Sequence, residues 1–337
     1  MMSIARTPRL VLALAIAGMT MIPASAVTID WVTVGDPGNT ADTTGYGAVA
    51  NSFKIMKYEW TNSQYVDFLN AVDPSGTNPN SIYNSSMGSN ARGGISFTSG
   101  NSAGSKYAVK TNMGDKPVNW VTWWDAARVA NWLHNGQGSG STETGAYTLN
   151  NATSGTAPAV NPGAQVYIPT ENQWYKAAYY KGGSTNAGYW EYATQSDTEP
   201  TAVTSGPTGI GSAGSTGNFA NYSNAADWNS QDGNVTTVGT NGGPSVYGAF
   251  DMSGNLQEWN DLTGAANVFR GLRGGYWANS AFVMSASRTN STNASFEFDA
   301  PYNGFRLAAV PEPSTYCLAL AGMACGGYSM WRRRKRA

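Results

Sequence analysis

Only two cysteines occur in the 337 residues, Cys317 and Cys325, and both fall inside an apolar run near the C-terminus. The stretch from residue 27 to 310 therefore holds no disulfide, no thiol nucleophile and no cysteine-based metal site. Histidine occurs once, at His134, which excludes a two-histidine metal centre. Charge is scarce as well, at 12% of residues. The two ends take seven of the 20 basic side chains and one of the 21 acidic ones, leaving 13 basic and 20 acidic groups in residues 27–310, a net charge near −7. A nucleic-acid binder shows the opposite bias, so no nucleic-acid partner is expected.

Long hydrophobic runs occur only at the ends. Residues 1–26 combine Arg6 and Arg9, the apolar "LVLALAIAGMTMI" and the small residues of Pro23-Ala24-Ser25-Ala26, the pattern of a signal peptide. At the other end "VPEPS" precedes the apolar "YCLALAGMACGGYSMW" and then "RRRKRA". Those 16 apolar residues would reach about 24 Å as a helix, enough to lodge in a bilayer, and the basic cluster would hold the end on the cytoplasmic side. This arrangement resembles the PEP-CTERM sorting signal, over residues 310–337 with Pro311, Glu312 and Pro313 at the processing site. The resemblance implies transient anchoring in the inner membrane and removal of the tail by an exosortase-type protease. Release to the cell surface or extracellular matrix would follow. A plain C-terminal anchor is the alternative.

Between the ends, glycine, serine, threonine, asparagine and tryptophan dominate, as in an exported, loop-rich domain. Three helices announce themselves by one start signal, a capping residue with a partner three positions on. These are Thr61 with Gln64, Thr122 with Asp125, and Thr170 with Gln173, followed by apolar residues at helical spacing and, for the last two, glycine stops at Gly136 and Gly182-Gly183. Short strands are expected in "SFKIMKYEW", "AQVYI", "GYWEYAT", "VFRGLRGGYW" and "NGFRLAAV". The stretches 84–106, 136–145, 150–164 and 199–244 read as long polar loops, which need something to pin them in a compact domain. No interdomain linker is evident, so one domain is expected.

The segment "YGAFDMSGNLQEWNDL" sets Asp251 and Glu258 seven residues apart around Gly254 and Asn255. On the residues alone this pair is open to three readings: a catalytic acid and base, a metal cage, or the two ends of a structural turn.

In chain order, "KYEWTNSQYVDFLNAV", "KPVNWVTWWDAARVANWL", "YIPTENQWYKAAYY", "VYGAFDMSGNLQEW", "LRGGYW" and "NGFRLA" resemble, block by block, the formylglycine-generating enzyme (sulfatase-modifying factor) family. The resemblance runs from about residue 46 to 309. It implies one α+β domain over residues 27–309 with a C-type-lectin-like fold, short strands and long irregular loops often fixed by calcium. Enzymes of the family oxidise a sulfatase cysteine to formylglycine with oxygen and copper, through a cysteine pair shortly after the "RGGS"-type block. Here the stretch after "LRGGYW" is the shorter "ANSAFVMSASR", with Ser280, Met284 and Ser285 as the nearest occupants. A serine hydroxyl cannot stand in for a soft thiolate on copper. The oxidase activity does not carry over, and copper is not expected.

Carried over residue by residue, the family's calcium ligands fall on Asp251 and Glu258 through side-chain oxygens and on Gly254 and Leu256 through carbonyls. A second set falls on Asn221, the carbonyl of Tyr222, Asp232 and a carbonyl near Asn234. Calcium accepts such mixed oxygen shells readily. Three arginines, Arg273, Arg288 and Arg306, are expected to pair with buried acids or carbonyls. His134 is expected to cap the end of its helix, and most tryptophans to be core. The expected function is an exported, non-catalytic, calcium-stabilised binding or structural module, whose partner is an extracellular polysaccharide or a surface protein. The alternative is an oxidative or metal-dependent enzyme of the same family with a non-cysteine site.

Overall fold

The computed structural model describes residues 26–288, 290–294 and 300–311. The signal peptide (apart from Ala26), Glu312 and Pro313 of the sorting signal, and the apolar and basic tail lie outside the described residues. Among those described, no helix is long and apolar enough to cross a membrane.

Each capping box opens the helix it announces. Thr61, Thr122 and Thr170 accept from the backbone of the third helical residue, whose side chain reaches back to the cap. The helices are α1 (Asn62–Val72), α3 (Trp123–His134) and α4 (Glu171–Tyr179), with one-turn helices α2 (Ser86–Ser89) and α5 (Ala281–Met284) between and after them. One antiparallel sheet joins β1 (Trp31–Val34), β2 (Phe53–Met56), β12 (Ala308–Ala309) and β5 (Val166–Tyr167) in that order, so the last strand closes the domain beside the second. A second sheet runs β10 (Asn290–Asn293), β9 (Phe269–Arg273), β8 (Gln257–Asn260), β11 (Asn303–Gly304), its last pairing parallel. Two small pairs complete the fold, β3 (Ile95–Phe97) with β4 (Tyr107–Val109), and β6 (Thr201–Ala202) with β7 (Phe219–Ala220). This is an α+β domain of short strands, as expected.

Two differences from the sequence expectation have local causes. "GYWEYAT" forms no strand, because the chain turns back within four residues, with Tyr192 N donating to Ser196 O and Gln195 at φ +60°. The stretch 84–106 contains α2 and β3, and 199–244 contains β6 and β7, instead of running as pure loop. The long loops are tied down by side chains bonding to backbone. Asn135 Nδ2 donates to the carbonyls of Ser141 and Thr144, and Lys116 Nζ to that of Thr208.

The main core lies between α1, α3 and the second sheet, with Trp60 stacked on Phe305 at 5.8 Å and Trp259 and Leu272 beneath. A second core sits between α4 and the first sheet, around Phe53, Ile55, Trp174 and Tyr175. The tryptophans at 120, 123, 124, 132, 174, 259 and 277 are all buried, and Trp190 is half-buried.

Where β8 ends, Asp261 is buried and accepts from Trp123 Nε1 at 2.7 Å and Tyr147 Oη at 2.6 Å, with Arg270 Nε 3.1 Å away. Burial pushes its carboxyl up to about 6 despite Arg270, and burial does the same to Asp125 at the start of α3, against its hydrogen bonds from Thr122. A raised carboxyl is a group to which the folded state binds a proton more tightly. Stability from these two groups is therefore fully present below their ordinary value of 3.8 and lost as pH rises through about 6. With chelator present, stability, read as the melting temperature, is expected to fall between pH 4 and pH 7, by at most about 3 kcal/mol per group. A melting temperature that rises over that interval would contradict the assignment.

Candidate functional site

Positive φ at Asp251 (+58°), Gly254 (+83°) and Asn255 (+62°) folds the 251–256 segment into a tight turn. Gly254 is required there, since a Cβ would lie 2.3 Å from the carbonyl oxygen of Asn221. The turn docks on two other loops through Asn255 N to Asn221 O, Gly254 N to Gly274 O and Trp277 N to Asn255 O. It then runs into β8, which carries Glu258 inward. Beside it β11 pairs Gly304 with Glu258, which sets Arg306 against the same carboxylate.

Glu258 and Arg306 are both fully buried. Arg306 Nε donates to Oε2 and Nη2 to Oε1, both at 2.6 Å, and Trp174 Nε1 adds a third bond to Oε2 at 2.8 Å. The remaining guanidinium donors reach the carbonyls of Met56 (3.2 Å) and Phe250 (2.8 Å).

A second buried acid, Glu59, stands at the end of the segment leaving β2. Its oxygens accept from Asn255 Nδ2 at 2.7 Å and from Leu256 N at 3.1 Å. From Asn255 a chain of bonds continues outward. Asn255 Oδ1 accepts from Asn221 Nδ2 and from Thr236 N, Thr236 Oγ1 donates to Asn241 Oδ1, and Asn241 Nδ2 donates to Asp251 Oδ1, whose other oxygen takes Gly239 N. Of these three acids only Glu258 bonds to Arg306, whose charge acts on Glu59 and Asp251 through space. Burial holds the Glu59 carboxyl well above its usual range, and the charges of Asp251 and Glu258 push it further. Burial also raises Asp251.

The segment after Gly274-Gly275 forms the outer side of the region. Tyr276 stacks on Tyr302 at 4.5 Å and meets Trp277 edge-on, and the Arg92 guanidinium lies 4.2 Å over the Trp277 ring. Ser280 is exposed at the start of α5, while Met284 and Ser285 are buried. Met284 O accepts from Tyr179 Oη at 2.9 Å, and Ser285 Oγ sits 2.9 Å from Ser287 Oγ.

A model of the sulfatase-modifying factor enzyme 1-like domain matches residues 17–310, most of the chain. The chain belongs to the sulfatase-modifying factor family. No curated protein matches it by sequence. Among solved structures it resembles the Treponema denticola variable protein 1, with 18% identity and a TM-score of 0.50 over 86% of this chain and 97% of that one. It also resembles CarF, with 20% identity and a TM-score of 0.50 over 85% of this chain and 100% of that one. At such identities the likeness speaks for the fold alone, the C-type-lectin-like α+β architecture expected of the family.

The oxygens that the family resemblance assigns to calcium are differently disposed in the two sets. In the first, the side chains of Asp251 and Glu258 are both engaged, Glu258 by a bidentate guanidinium. Arg306 supplies the positive charge there, and the set does not fit a cation as it stands. Leu256 is buried in a cluster with Trp228, Val235 and Trp277. In the second set, Asn221 is fully buried and its Oδ1 has no hydrogen-bond partner, the kind of orphaned acceptor a cation would satisfy. Its Nδ2 touches the carbonyl of Asn234 at 2.8 Å, the carbonyl of Tyr222 accepts from Ala225 N, and Asp232 stands exposed with its carbonyl on Arg92 Nη2. Of the second set, Asn221 Oδ1 alone is left without a partner, while the Tyr222 and Asn234 carbonyls already accept hydrogen bonds. Among the described residues no three His, Cys, Asp or Glu side chains converge as a cage.

Arg306 and Arg273 pair with buried acids as expected, Arg273 with Glu171. Among the described residues Arg288 does not: it is exposed, its backbone N donates to Ser285 O at 3.1 Å, and its carbonyl accepts from Arg273 Nη1. His134 lies in the last turn of α3, and its Nδ1 accepts from Gln165 N at 3.1 Å, tying the approach to β5 to the helix end. Sequence reasoning passed over Glu59, Thr236 and Asn241. Glu59 had one signal, an acid set directly before the large apolar Trp60.

Proposed function

We propose that this is an exported surface or matrix protein whose sulfatase-modifying-factor domain no longer catalyses and serves as a binding module stabilised by calcium. One observation supports the loss of catalysis above all. The segment where the family's oxidases keep their cysteine pair is here a one-turn helix flanked by Ser280 and Ser285, with buried Met284 at its end. No thiolate is available to hold copper. Export rests on the signal-peptide pattern, and sorting on Pro311, Glu312 and Pro313 ahead of the apolar and basic tail. An exosortase-type protease is the processing partner, and an extracellular polysaccharide or surface protein the binding partner.

In this reading the ion would sit at the Asn221 loop, held by Asn221 Oδ1, with Tyr222, Asn234 and Asp232 as the further ligands the family resemblance implies. The ion would neutralise part of the acid excess in residues 27–310 and pin the 221–236 loop. At 100 times its dissociation constant calcium should add about 2.7 kcal/mol per site, and Asn221→Ala should abolish that gain. An unchanged melting temperature after exhaustive chelation would remove calcium from the proposal. The intact mass of the native protein reads the sorting step, since a C-terminus still ending at Ala337 means that no processing occurs.

A further inference from the structure

On the side of the domain carrying the small β6–β7 pair, the segment 194–198, the loop 215–218 and Gly243-Pro244 enclose an open groove of about 510 Å³. The parallel pairing of β6 with β7 brings the first two segments alongside each other. Gly243 N donates to Gly217 O at 2.8 Å and Gln195 Nε2 to Pro244 O at 3.0 Å, which fixes the third wall. Across the floor, Thr194 Oγ1 donates to Asn218 Oδ1 at 2.6 Å, and Asn218 Nδ2 to Ser196 Oγ at 3.0 Å and Thr198 O at 3.1 Å. The walls are thus held before any ligand arrives, which lowers the ordering cost of binding. Its volume lies within the range of small-ligand sites, about 300–1,000 Å³.

We propose that this groove binds a segment of an uncharged polysaccharide, a proposal that rests on the binding-module reading and gives it a ligand class and a place. No charged side chain lines the groove. The Ser215 and Thr216 hydroxyls and Gln195 Oε1, which the wall bonds above do not use, offer donors and acceptors together, and threonine methyls and the Pro244 ring supply small apolar faces between them. A sugar ring offers the same mixture, hydroxyls at its edge and C–H groups on its faces. Other ligand classes meet the wrong chemistry. Nucleic acid or a phosphorylated chain needs cations. An anionic polysaccharide would approach Asp197 and Glu199, exposed carboxylates on the same segment as Ser196 and Thr198. A peptide needs a free sheet edge or deep apolar pockets, and neither lines this groove.

The test titrates the processed full-length protein with neutral hexasaccharides (β-1,4-glucan, α-1,6-glucan, β-1,4-mannan) and with alginate and polygalacturonate oligomers, read by calorimetry and saturation-transfer NMR. At least one neutral chain should bind and the anionic ones should not. Thr216→Trp, at an exposed position on the groove wall, should weaken binding by at least about tenfold without moving the melting temperature, and Gln195→Ala should weaken it too. The proposal is overturned if no neutral chain binds at about 1 mM, if both variants bind as wild type, or if the anionic chains are preferred. Glycan binding that ignores the groove variants, or capture of a purified matrix protein, would end the groove proposal and leave the binding-module reading standing. Catalytic turnover of a cysteine peptide would instead overturn that reading.

Discussion

Arg306→Leu is expected to destabilise the domain by about 3–5 kcal/mol, a large fraction of the about 5–15 kcal/mol that keeps a typical domain folded. The guanidinium is fully buried and meets Glu258, Met56 O and Phe250 O at once, joining the end of β2, the 250 turn and β8. Leucine removes every one of these donors and leaves Glu258 ionised or forced to protonate beside Glu59 and Asp251. Arg306→Lys keeps the charge and loses the two-pronged geometry, so it should fall between leucine and wild type. Glu258→Leu strands the arginine and should cost a comparable amount with or without calcium, because the partner it loses is Arg306. The double variant Glu258→Leu/Arg306→Leu should be more stable than either single one, since no buried charge of the pair is left alone. Urea denaturation of the four proteins measures this. An Arg306→Leu protein within about 1 kcal/mol of wild type would show that the pair does not hold the centre together.

Incubated with a sulfatase-type cysteine peptide, oxygen and copper, the protein is expected to form no formylglycine above a no-protein control. Activating oxygen in this family needs thiolates to hold copper(I), and a serine hydroxyl is a hard, weakly acidic group with little affinity for that ion. The double replacement Ser280→Cys/Ser285→Cys should not restore turnover. Ser280 faces solvent at the start of α5, whereas Ser285 is buried beyond its end with its hydroxyl toward Ser287. A two-thiolate site needs both ligands placed to within about half an ångström, and nothing holds these two together. Mass spectrometry of the peptide decides the matter. Copper-dependent product would mean that oxidation runs through residues described here as structural.

Whatever depends on near neighbours or on composition could be read from the chain alone. The starts of α1, α3 and α4 were legible because a capping box is complete within four residues and owes nothing to the rest of the fold. The missing thiolates were legible because no tertiary arrangement can create a residue type that residues 27–310 lack. Six ordered blocks were enough to indicate the family, and with it the α+β architecture. The centre of the molecule was not legible in this way. Whether Glu258 faces a cation or Arg306, 48 residues away in sequence, depends on β11 lying parallel beside β8. Glu59 meets Asn255 across 196 residues. Strand β8 itself carried no apolar run to mark it, since three of its four buried residues, Gln257, Glu258 and Asn260, are polar and are buried through side-chain hydrogen bonds. Only the tertiary structure set Asp232 at the surface and Asn221 in the interior, because the burial of a polar residue follows from which loops close over it, and those loops are joined by hydrogen bonds between distant segments.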